Sequence, residues 1–331
     1  MATSSLIDPY GRRIDYLRIS VTDRCDFRCT YCMDEDVTFI PKSHILSLEE
    51  VVQVAKTFIK MGTKRIRITG GEPLVRKNLL WALEQIAKTD GLEELTITTN
   101  GSQLEKMSQG LLDAGVSRIN ISLDTLNAGR FFKLTRRDKF QQVINGIDKA
   151  TSLAFKRLKL NSVILKNHND DEIQPLAAFA LERGMDISYI EEMPLGMIHD
   201  HDRAEAYLSS DDIIDRLSKH FALTQSNLTT GGPTRYYNVA GYQNKIGVIS
   251  PHSHNFCSDC NRVRLTAEGR LLLCLGNEHS KDLKPFLRTP SVTQGALEEG
   301  IISALALKPY QHHFNLEDPP QILRFMSATG G

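Results

Sequence analysis

The sequence predicts an α/β fold built on a parallel sheet, and three observations support this prediction. Short apolar and β-branched runs alternate with helical patterns six times in the first two-thirds of the chain. Each strand–helix–strand repeat is typical of a right-handed βαβ unit. After residue 196 the pattern changes to short runs separated by turn residues, which is typical of an antiparallel or mixed region.

The number of repeats restricts how the sheet closes. A complete TIM barrel needs eight units, and the sequence supplies six. We therefore predict an incomplete (β/α)6 TIM-type barrel over residues 1–220, with one open side. An open doubly wound sheet is the alternative. Residues 221–331 are predicted to form a C-terminal antiparallel or mixed module.

The elements of the barrel follow in order. The helix after the first strand begins with Ser47 and Glu50 in a capping-box pattern, and Gly62 is expected to end it. Ser102 is predicted to begin the helix after the third strand in the same way. The predicted strands are 16–22, 65–69, 95–99, 118–122, 158–164 and 186–190.

The C-terminal part begins with a predicted helix over 211–220. Short strands, two helical stretches and a tail from Pro319 to Gly331 follow it. The predicted strands are 234–239, 245–249, 262–266 and 271–273, and the helical stretches are 283–287 and 297–307.

The composition excludes several classes of protein. The 331 residues include 40 Lys+Arg and 40 Asp+Glu, and this zero net charge argues against a nucleic-acid-binding protein. Any anion site must then come from a local cationic cluster. No apolar run approaches the ~18 residues of a membrane span, and the N-terminus lacks the apolar stretch of a secretory signal. We expect a cytoplasmic protein that does not bind a membrane.

The less common residues follow the predicted strands at their carboxyl ends. In parallel barrels the loops at these ends converge and carry the active site. The sequence therefore predicts an enzyme with its site at this edge. The segments concerned are 25–32, 69–73, 98–101, 122–124 and 191–194.

Three cysteines follow the first strand. Cys25, Cys29 and Cys32 have the spacing C-x3-C-x2-C, with no fourth cysteine nearby. A four-iron cluster ordinarily takes four thiolates, so three would leave one iron open to another ligand. The alternative is a structural zinc site with four ligands, for which His44 is the candidate.

A second group of three cysteines lies far downstream. Cys257, Cys260 and Cys274 again lack a fourth cysteine. A zinc site completed by His252 or His254 is the alternative to a second cluster.

Several cations lie in or beside the predicted strands. Arg262 and Arg264 are two residues apart on one strand, so both guanidinium groups face the same side, as a phosphate would require. Arg18 and Arg67 lie between apolar neighbours, and inside a barrel each needs an anionic partner. The same argument applies to Lys159, for which burial without a ligand is the alternative. Together these residues predict an anionic ligand.

The first cysteine group and Gly70-Gly71-Glu72-Pro73 on an incomplete barrel resemble the radical S-adenosylmethionine superfamily. Within it, the chain resembles over nearly its whole length the family that cyclises GTP in molybdenum cofactor biosynthesis. The motifs that carry this resemblance are Leu17-Arg18-Ile19-Ser20, Arg67-Ile68-Thr69, Thr98-Thr99-Asn100-Gly101, Glu192-Met193-Pro194, residues 256–275 and Gly330-Gly331.

The resemblance implies two [4Fe–4S] clusters, one on each cysteine group, with S-adenosyl-L-methionine on the open iron of the first and guanine on that of the second. It implies no catalytic side chain, because the cluster and the S-adenosylmethionine radical carry the chemistry. The implied S-adenosylmethionine contacts are Tyr31, Gly71, Ser122 and Met193. The implied GTP contacts are Arg18, Arg67, Thr98, Lys159, Arg262, Val263 and Arg264.

The implied activity is that of a lyase, which cyclises GTP to (8S)-3′,8-cyclo-7,8-dihydroguanosine 5′-triphosphate early in molybdenum cofactor (molybdopterin) biosynthesis. The resemblance also implies an electron donor and a functional link to cyclic pyranopterin monophosphate synthase, and it leaves a homodimer open. Gly330 and Gly331 would enter the site, since glycine lets backbone come close; a frayed end is the alternative.

Two other functions remain open. One is a radical S-adenosylmethionine enzyme whose auxiliary cluster serves a peptide substrate, although the arginines favour a triphosphate. The other is a zinc-stabilised binding module, although neither cysteine group has a fourth cysteine.

Overall fold

The computed structural model describes residues 6–196, 202–289, 295–312, 314, 322, 324 and 326–330. In this part of the chain, the strands form one mixed sheet. They are β1 (Tyr16–Ser20), β2 (Arg65–Thr69), β3 (Glu94–Thr99), β4 (Arg118–Ser122), β5 (Arg157–Val163), β6 (Asp186–Ile190), β7 (Leu223–Ser226), β8 (Arg235–Val239), β9 (Lys245–Ile249), β10 (Arg262–Leu265), β11 (Arg270–Leu272) and β12 (Ser280–Asp282).

Helices connect the strands of the first two-thirds and complete the C-terminal part. The described helices are α1 (Leu48–Lys60), α2 (Leu79–Ala87), α3 (Leu104–Asp113), α4 (Ala128–Thr135), α5 (Phe140–Thr151), α6 (Ile173–Glu182), α7 (Arg203–Ala206), α8 (Ser210–Ser218), α9 (Lys284–Arg288), α10 (Ala296–Leu305) and α11 (Met326–Thr329). Among the residues described, no helix is both long enough and apolar enough to cross a membrane.

The first six strands confirm the predicted parallel βα units. Strands β1 to β6 are neighbours in chain order, and every adjacent pair is parallel. Each predicted strand agrees with the observed one to within two residues at either end. Their carboxyl ends therefore meet at one edge, where the loops can form a common site.

The strands after residue 220 extend both edges of this same sheet. β10 pairs in parallel with β1, and β9 pairs in parallel with β6. Beyond them, β11 and β12 on one side and β8 and β7 on the other are antiparallel. The C-terminal strands are thus mixed, as predicted, but they do not form a sheet of their own. The sequence did not predict the polar strands β7 and β12, because they lack the apolar alternation of a half-buried strand.

The register of the sheet places apolar and cationic residues on opposite faces. Leu17, Ile19, Ile66 and Ile68 are almost fully buried in the main hydrophobic core. Between them, Arg18 lies beside Arg67 on one side and Arg264 on the other. Because successive side chains of a strand alternate, these arginines point to the face opposite the core.

Two predicted helix starts have different outcomes. Ser47 and Glu50 form the complete capping box of α1, and Gly62 follows the helix with φ of 107°. The prediction for Ser102 is wrong: α3 begins at Leu104 without a side-chain cap. The Ser102 hydroxyl instead donates to Asp26 at 2.7 Å.

Candidate active site

A first cavity opens at the carboxyl ends of β1 to β6. It brings together the first cysteine group and all four residues predicted to contact S-adenosylmethionine. Thr98, predicted as a GTP contact, also lines this cavity, and its buried hydroxyl has no hydrogen-bond partner in the structure. The lining includes Cys25, Cys29, Tyr31, Cys32, Gly70, Gly71, Thr98, Asn100, Ser122, Asp124, Asn161, Met193, Met326 and Ser327.

The cysteine loop is held by backbone hydrogen bonds to the end of α4. The amide of Arg28 donates to Thr135 and that of Thr30 to Leu134, each at 2.9 Å. Within the loop, the amide of Cys32 donates to the carbonyl of Cys29 at 2.9 Å. These bonds fix a tight turn whose thiols face the cavity.

The thiols of this loop fit an iron–sulfur cluster. Burial raises the pKa of Cys25 to about 12, with Glu72 adding to the shift, and burial raises the pKa of Cys32 to about 12. Burial also raises the pKa of Cys29. Buried thiolates are unfavourable without positive charge beside them, which iron supplies. All six cysteines are free.

The two glycines after β2 are required by the chain's own backbone. A Cβ on Gly71 would lie 2.5 Å from the carbonyl oxygen of Arg24 and 2.6 Å from that of Asp23. A Cβ on Gly70 would lie 2.8 Å from the carbonyl of Thr22. The loops after β1 and β2 therefore pack backbone to backbone, which only glycine permits.

Glu72 ties the loop after β2 to the end of β3. Its buried carboxylate accepts from the amide of Leu74 at 3.0 Å, the hydroxyl of Thr99 at 2.8 Å and the amide of Asn100 at 2.6 Å. Burial raises its pKa to about 7 despite these donors. The glutamate thus sets the relative position of two loops that line the cavity.

Sequence reasoning missed a polar network behind Cys25. Asp26 accepts hydrogen bonds from Asn100 at 2.8 Å, Ser102 at 2.7 Å and Lys139 at 3.0 Å. The Asn100 amide nitrogen is also 3.8 Å from the sulfur of Cys25. The sequence had placed Asp26 and Asn100 in segments 25–32 and 98–101 at the predicted active-site edge, but had assigned neither a role.

Asp124 lies in segment 122–124, which the sequence predicted at the active-site edge, but no role had been assigned to it. It lies just beyond β4 in the first cavity, where it accepts from the Tyr31 hydroxyl at 2.6 Å and from the amide of Val163 at 2.8 Å. Burial raises the pKa of Asp124 to about 6. Tyr31 is thereby oriented at the cavity wall.

A second cavity adjoins the first and contains the second cysteine group with the predicted cations. Asn161, Ile190 and Met193 line both cavities. His312 and Phe314 also line the second cavity, and nothing in the sequence pattern had indicated them. The lining includes Arg18, Arg67, Lys159, Thr234, Phe256, Cys257, Cys260, Arg262, Val263, Arg264 and Cys274.

Burial and neighbouring cations lower the pKa of several cations of the second cavity. Burial, with Arg264 and Arg67 nearby, holds the pKa of Arg18 well below its ordinary range. Burial and Arg67 do the same to Lys159, and burial with Arg262 lowers the pKa of Arg264 to about 10. Among the salt bridges found between described residues, none involves these five side chains. A polyanion would supply the missing opposite charge.

The second cysteine group differs from the first in its charge environment. Burial raises the pKa of Cys257 and of Cys274. Burial also acts on Cys260, but Lys308 and Arg262 outweigh it and lower the pKa of that thiol. This group is therefore a suitable donor set for a second cluster, with cationic side chains already beside one sulfur.

The histidines considered as zinc ligands make other contacts. His252 bonds to the carbonyl of Glu192 at 2.9 Å, and His254 pairs with Asp211 at 2.8 Å. His44 ends a short 3-10 turn. In the described ranges, no group of three or more Cys, His, Asp or Glu residues is arranged to hold a metal ion. The thiolates of a four-iron cluster bind separate irons, so they need not converge on one point.

The described end of the tail reaches the strands beneath both cavities. Arg264 donates to the carbonyl of Gly330 at 2.9 Å. A Cβ on Gly330, whose φ is 76°, would lie 1.9 Å from the Thr69 hydroxyl, so only glycine fits. Gly331, the other predicted tail residue, lies outside the described residues.

The fold and the first cavity define the class as a radical S-adenosylmethionine enzyme. The family model of the radical SAM superfamily matches residues 19–180, and the model described as Molybdenum Cofactor Synthesis C matches residues 185–314.

Curated relatives specify the family. The GTP 3′,8-cyclase of Ectopseudomonas mendocina (strain ymp) is 56% identical over 331 residues, covering all of both chains. That of Saccharophagus degradans is 54% identical over 331 residues, again covering all of both chains. The chain belongs to the GTP 3′,8-cyclase family.

Solved structures share the fold. The crystal structure of Streptococcus suis SuiB bound to S-adenosylmethionine has a TM-score of 0.64 and covers 91% of this chain and 68% of that chain. At 15% sequence identity this similarity shows the fold alone.

Proposed function

We propose that the chain uses radical S-adenosylmethionine chemistry to cyclise GTP to (8S)-3′,8-cyclo-7,8-dihydroguanosine 5′-triphosphate in molybdenum cofactor biosynthesis. One observation carries this proposal: a cavity lined by three cysteines adjoins a second cavity that combines three cysteines with five cations. The first cavity suits a cluster and S-adenosylmethionine, and the second cavity suits a nucleoside triphosphate beside an auxiliary cluster.

The first cavity is the cofactor site in this proposal. Cys25, Cys29 and Cys32 hold one [4Fe–4S] cluster, which with S-adenosyl-L-methionine supplies one-electron cleavage and a 5′-deoxyadenosyl radical. The loop bonds to α4 and the Asp26 network keep the three thiols in place. The proposed S-adenosylmethionine contacts are Tyr31, Gly71, Ser122 and Met193.

The second cavity is the substrate site. Cys257, Cys260 and Cys274 hold the second [4Fe–4S] cluster. The cationic side chains bind the triphosphate and neutralise its charge, while the surrounding apolar residues keep water away from the base and ribose. The proposed GTP contacts in this cavity are Arg18, Arg67, Lys159, Arg262, Val263 and Arg264, and Thr98 is the proposed contact from the wall of the first cavity.

Further parts of the proposal concern the whole chain. Residues 1–220 form the radical S-adenosylmethionine partial barrel of (β/α)6 type, and residues 221–331 supply the auxiliary cluster, much of the substrate site and the Gly330–Gly331 tail. Six free cysteines support a reducing, cytoplasmic location. The electron donor, the homodimer and the link to cyclic pyranopterin monophosphate synthase stay predictions.

The test is release of 5′-deoxyadenosine by the anaerobically reconstituted protein, given S-adenosylmethionine and a reductant, with and without GTP. We expect release that rises with GTP, together with a cyclised nucleotide. Release that does not change with GTP would contradict GTP as the substrate and favour a peptide substrate. A colourless, iron-free protein that binds zinc at both cysteine groups would favour the binding module.

A further inference from the structure

Lys308 is a buried cation that neither the sequence analysis nor the proposed substrate site uses. It follows α10 and is 2% exposed. Its ammonium group donates to the sulfur of Cys260 at 3.4 Å, the carbonyl of Arg262 at 3.1 Å and the carbonyl of Leu273 at 2.5 Å. An ammonium group has three protons, so each has an acceptor.

These three acceptors belong to the two segments that carry the second cysteine group. Cys260 is itself a member, Arg262 begins β10, and Leu273 directly precedes Cys274. One side chain therefore links both segments at the point where their sulfurs must come together. Burying an ammonium is costly unless it is paired, and a cysteine thiolate is the anionic partner within reach.

The segment that presents Lys308 is fixed from its other side by Arg12. The Arg12 guanidinium donates to the carbonyls of Cys257 and Tyr310, each at 2.6 Å, and to that of Pro309 at 2.7 Å. Asp8 pairs with the same guanidinium at 2.6 Å. The N-terminal turn thus joins the backbone of Cys257, the first cysteine of the second group, to the residues that follow Lys308, so the lysine has little freedom to move away.

We propose that Lys308 is a positioning residue of the auxiliary cluster, holding Cys260 and the strand before Cys274 in place and setting a positive charge against the Cys260 sulfur. This inference rests on the proposed function, because it requires the second cysteine group to hold a cluster. A cationic donor to a ligand sulfur stabilises the more negative, reduced state of an iron–sulfur cluster and so raises its reduction potential.

The experiment uses full-length protein carrying both clusters and compares Lys308→Met, Lys308→Arg and a control. Lys281→Met is the control, because Lys281 hydrogen-bonds Ser303 of α10, the helix that precedes Lys308, and lines neither cavity. The measurements are the midpoint potential of each cluster, followed by electron paramagnetic resonance, and the rate of iron loss to a chelator.

For Lys308→Met we expect a shift of the second cluster's potential to more negative values and loss of its iron several times faster, with the first cluster unchanged. Lys308→Arg should recover part of both effects, and Lys281→Met should match the wild type. Loss of only the second cluster from Lys308→Met would also support the proposal.

An unchanged potential and unchanged iron loss in Lys308→Met would overturn the inference. Loss of both clusters together would overturn it as well, because the effect of the substitution would then not be specific to the second cluster. Absence of a second cluster from the wild type itself would instead contradict the proposed function, so the two failures are distinguishable.

Discussion

At the scale of single residues, the buried cations of the second cavity lower the stability of the ligand-free protein. Lys159 is 3% exposed, and its ammonium group has a long contact of 3.5 Å with the Thr234 hydroxyl and lies 5.8 Å from the centre of the Tyr236 ring. Burial lowers the pKa of Lys159, and the charge of the neighbouring Arg67 lowers it further. Clustered, unpaired cations destabilise a fold, and sites that bind charged substrates commonly accept this cost.

Replacing Lys159 with methionine should therefore separate stability from binding. We expect Lys159→Met to raise the free energy of unfolding of the ligand-free protein by about 1 kcal/mol. The KM for GTP should rise about ten-fold or more, because one charge contact to the triphosphate is lost. Chemical unfolding without nucleotide and GTP-dependent 5′-deoxyadenosine release measure the two effects.

The control for that experiment is Lys149→Met on the exposed side of α5, which should change neither quantity. A Lys159→Met protein that is less stable and keeps the wild-type KM would contradict the account of these cations.

At the scale of elements, the first cavity depends on loops that position one another. The amide of Gly71 donates to Thr22 and that of Glu72 to Arg24, each at 2.8 Å, so the loop after β2 is bonded to the chain just before Cys25. The carboxylate of Glu72 then bonds the start of the loop after β3. A change in one loop must consequently displace its neighbours.

Gly71→Ala tests this coupling. Its Cβ would lie 2.5 Å from a backbone oxygen, which cannot rotate away, so the cysteine loop has to shift. We expect reduced iron at the first cluster and a loss of S-adenosylmethionine cleavage of about 100-fold, as for an ångström-scale misplacement of reacting groups. Iron content and 5′-deoxyadenosine release are the measurements.

Gly129→Ala provides the matched comparison. Gly129 lies in α4 with φ outside the positive region, and its Cβ position lies 3.3 Å from the side-chain oxygen of Asn127, which unlike a backbone oxygen can shift by a few tenths of an ångström. Alanine should be neutral or slightly stabilising there. Equal behaviour of the two variants would rule out a special role for the backbone contact at Gly71.

At the scale of the whole molecule, the second cavity exists because described segments near both ends of the chain come together. β10 lies beside β1 in the sheet, which places Arg264 next to Arg18, and Gly330 accepts a hydrogen bond from Arg264. The N-terminal strand, the C-terminal strands and the tail therefore contribute jointly to one set of charges. No single segment of the sequence contains it.

Gly330→Ala should disturb the contact between the tail and Arg264 without disturbing the clusters. The new methyl group would overlap the Thr69 hydroxyl, and alanine with φ of 76° is strained by roughly 1–2 kcal/mol. We expect the tail to leave Arg264 and GTP-dependent turnover to fall at least several-fold, with the iron content of both clusters unchanged. Turnover with saturating GTP and iron analysis check this.

Gly295→Ala is the comparison for strain alone, since Gly295 has φ of 103° but no atom within 4 Å of its Cβ position. Its turnover should stay close to that of the wild type. If both variants lose turnover equally, the contact between Gly330 and Thr69 has no functional part.

The sequence could predict much of this arrangement, because several signals in it are local. The six βα units follow from hydrophobic periodicity and from turn residues such as Gly62, which depend on neighbours along the chain. The cysteine spacings and the alternation of Arg262 and Arg264 are equally local. Ser102 shows where local signals fail. Its position matched a helix cap, but its hydroxyl instead donates a hydrogen bond to Asp26, which is distant in the sequence.

The sequence by itself thus determined the order of strands and helices, the two cysteine groups and the presence of cations within strands. Only the tertiary structure decided that β10 and β9 join opposite sides of the six parallel strands in one sheet, that the two cavities adjoin, and that Lys308 contacts Cys260. The physical reason is that strand pairing and side-chain packing join residues far apart in the chain, and these contacts depend on register and geometry that no local pattern records.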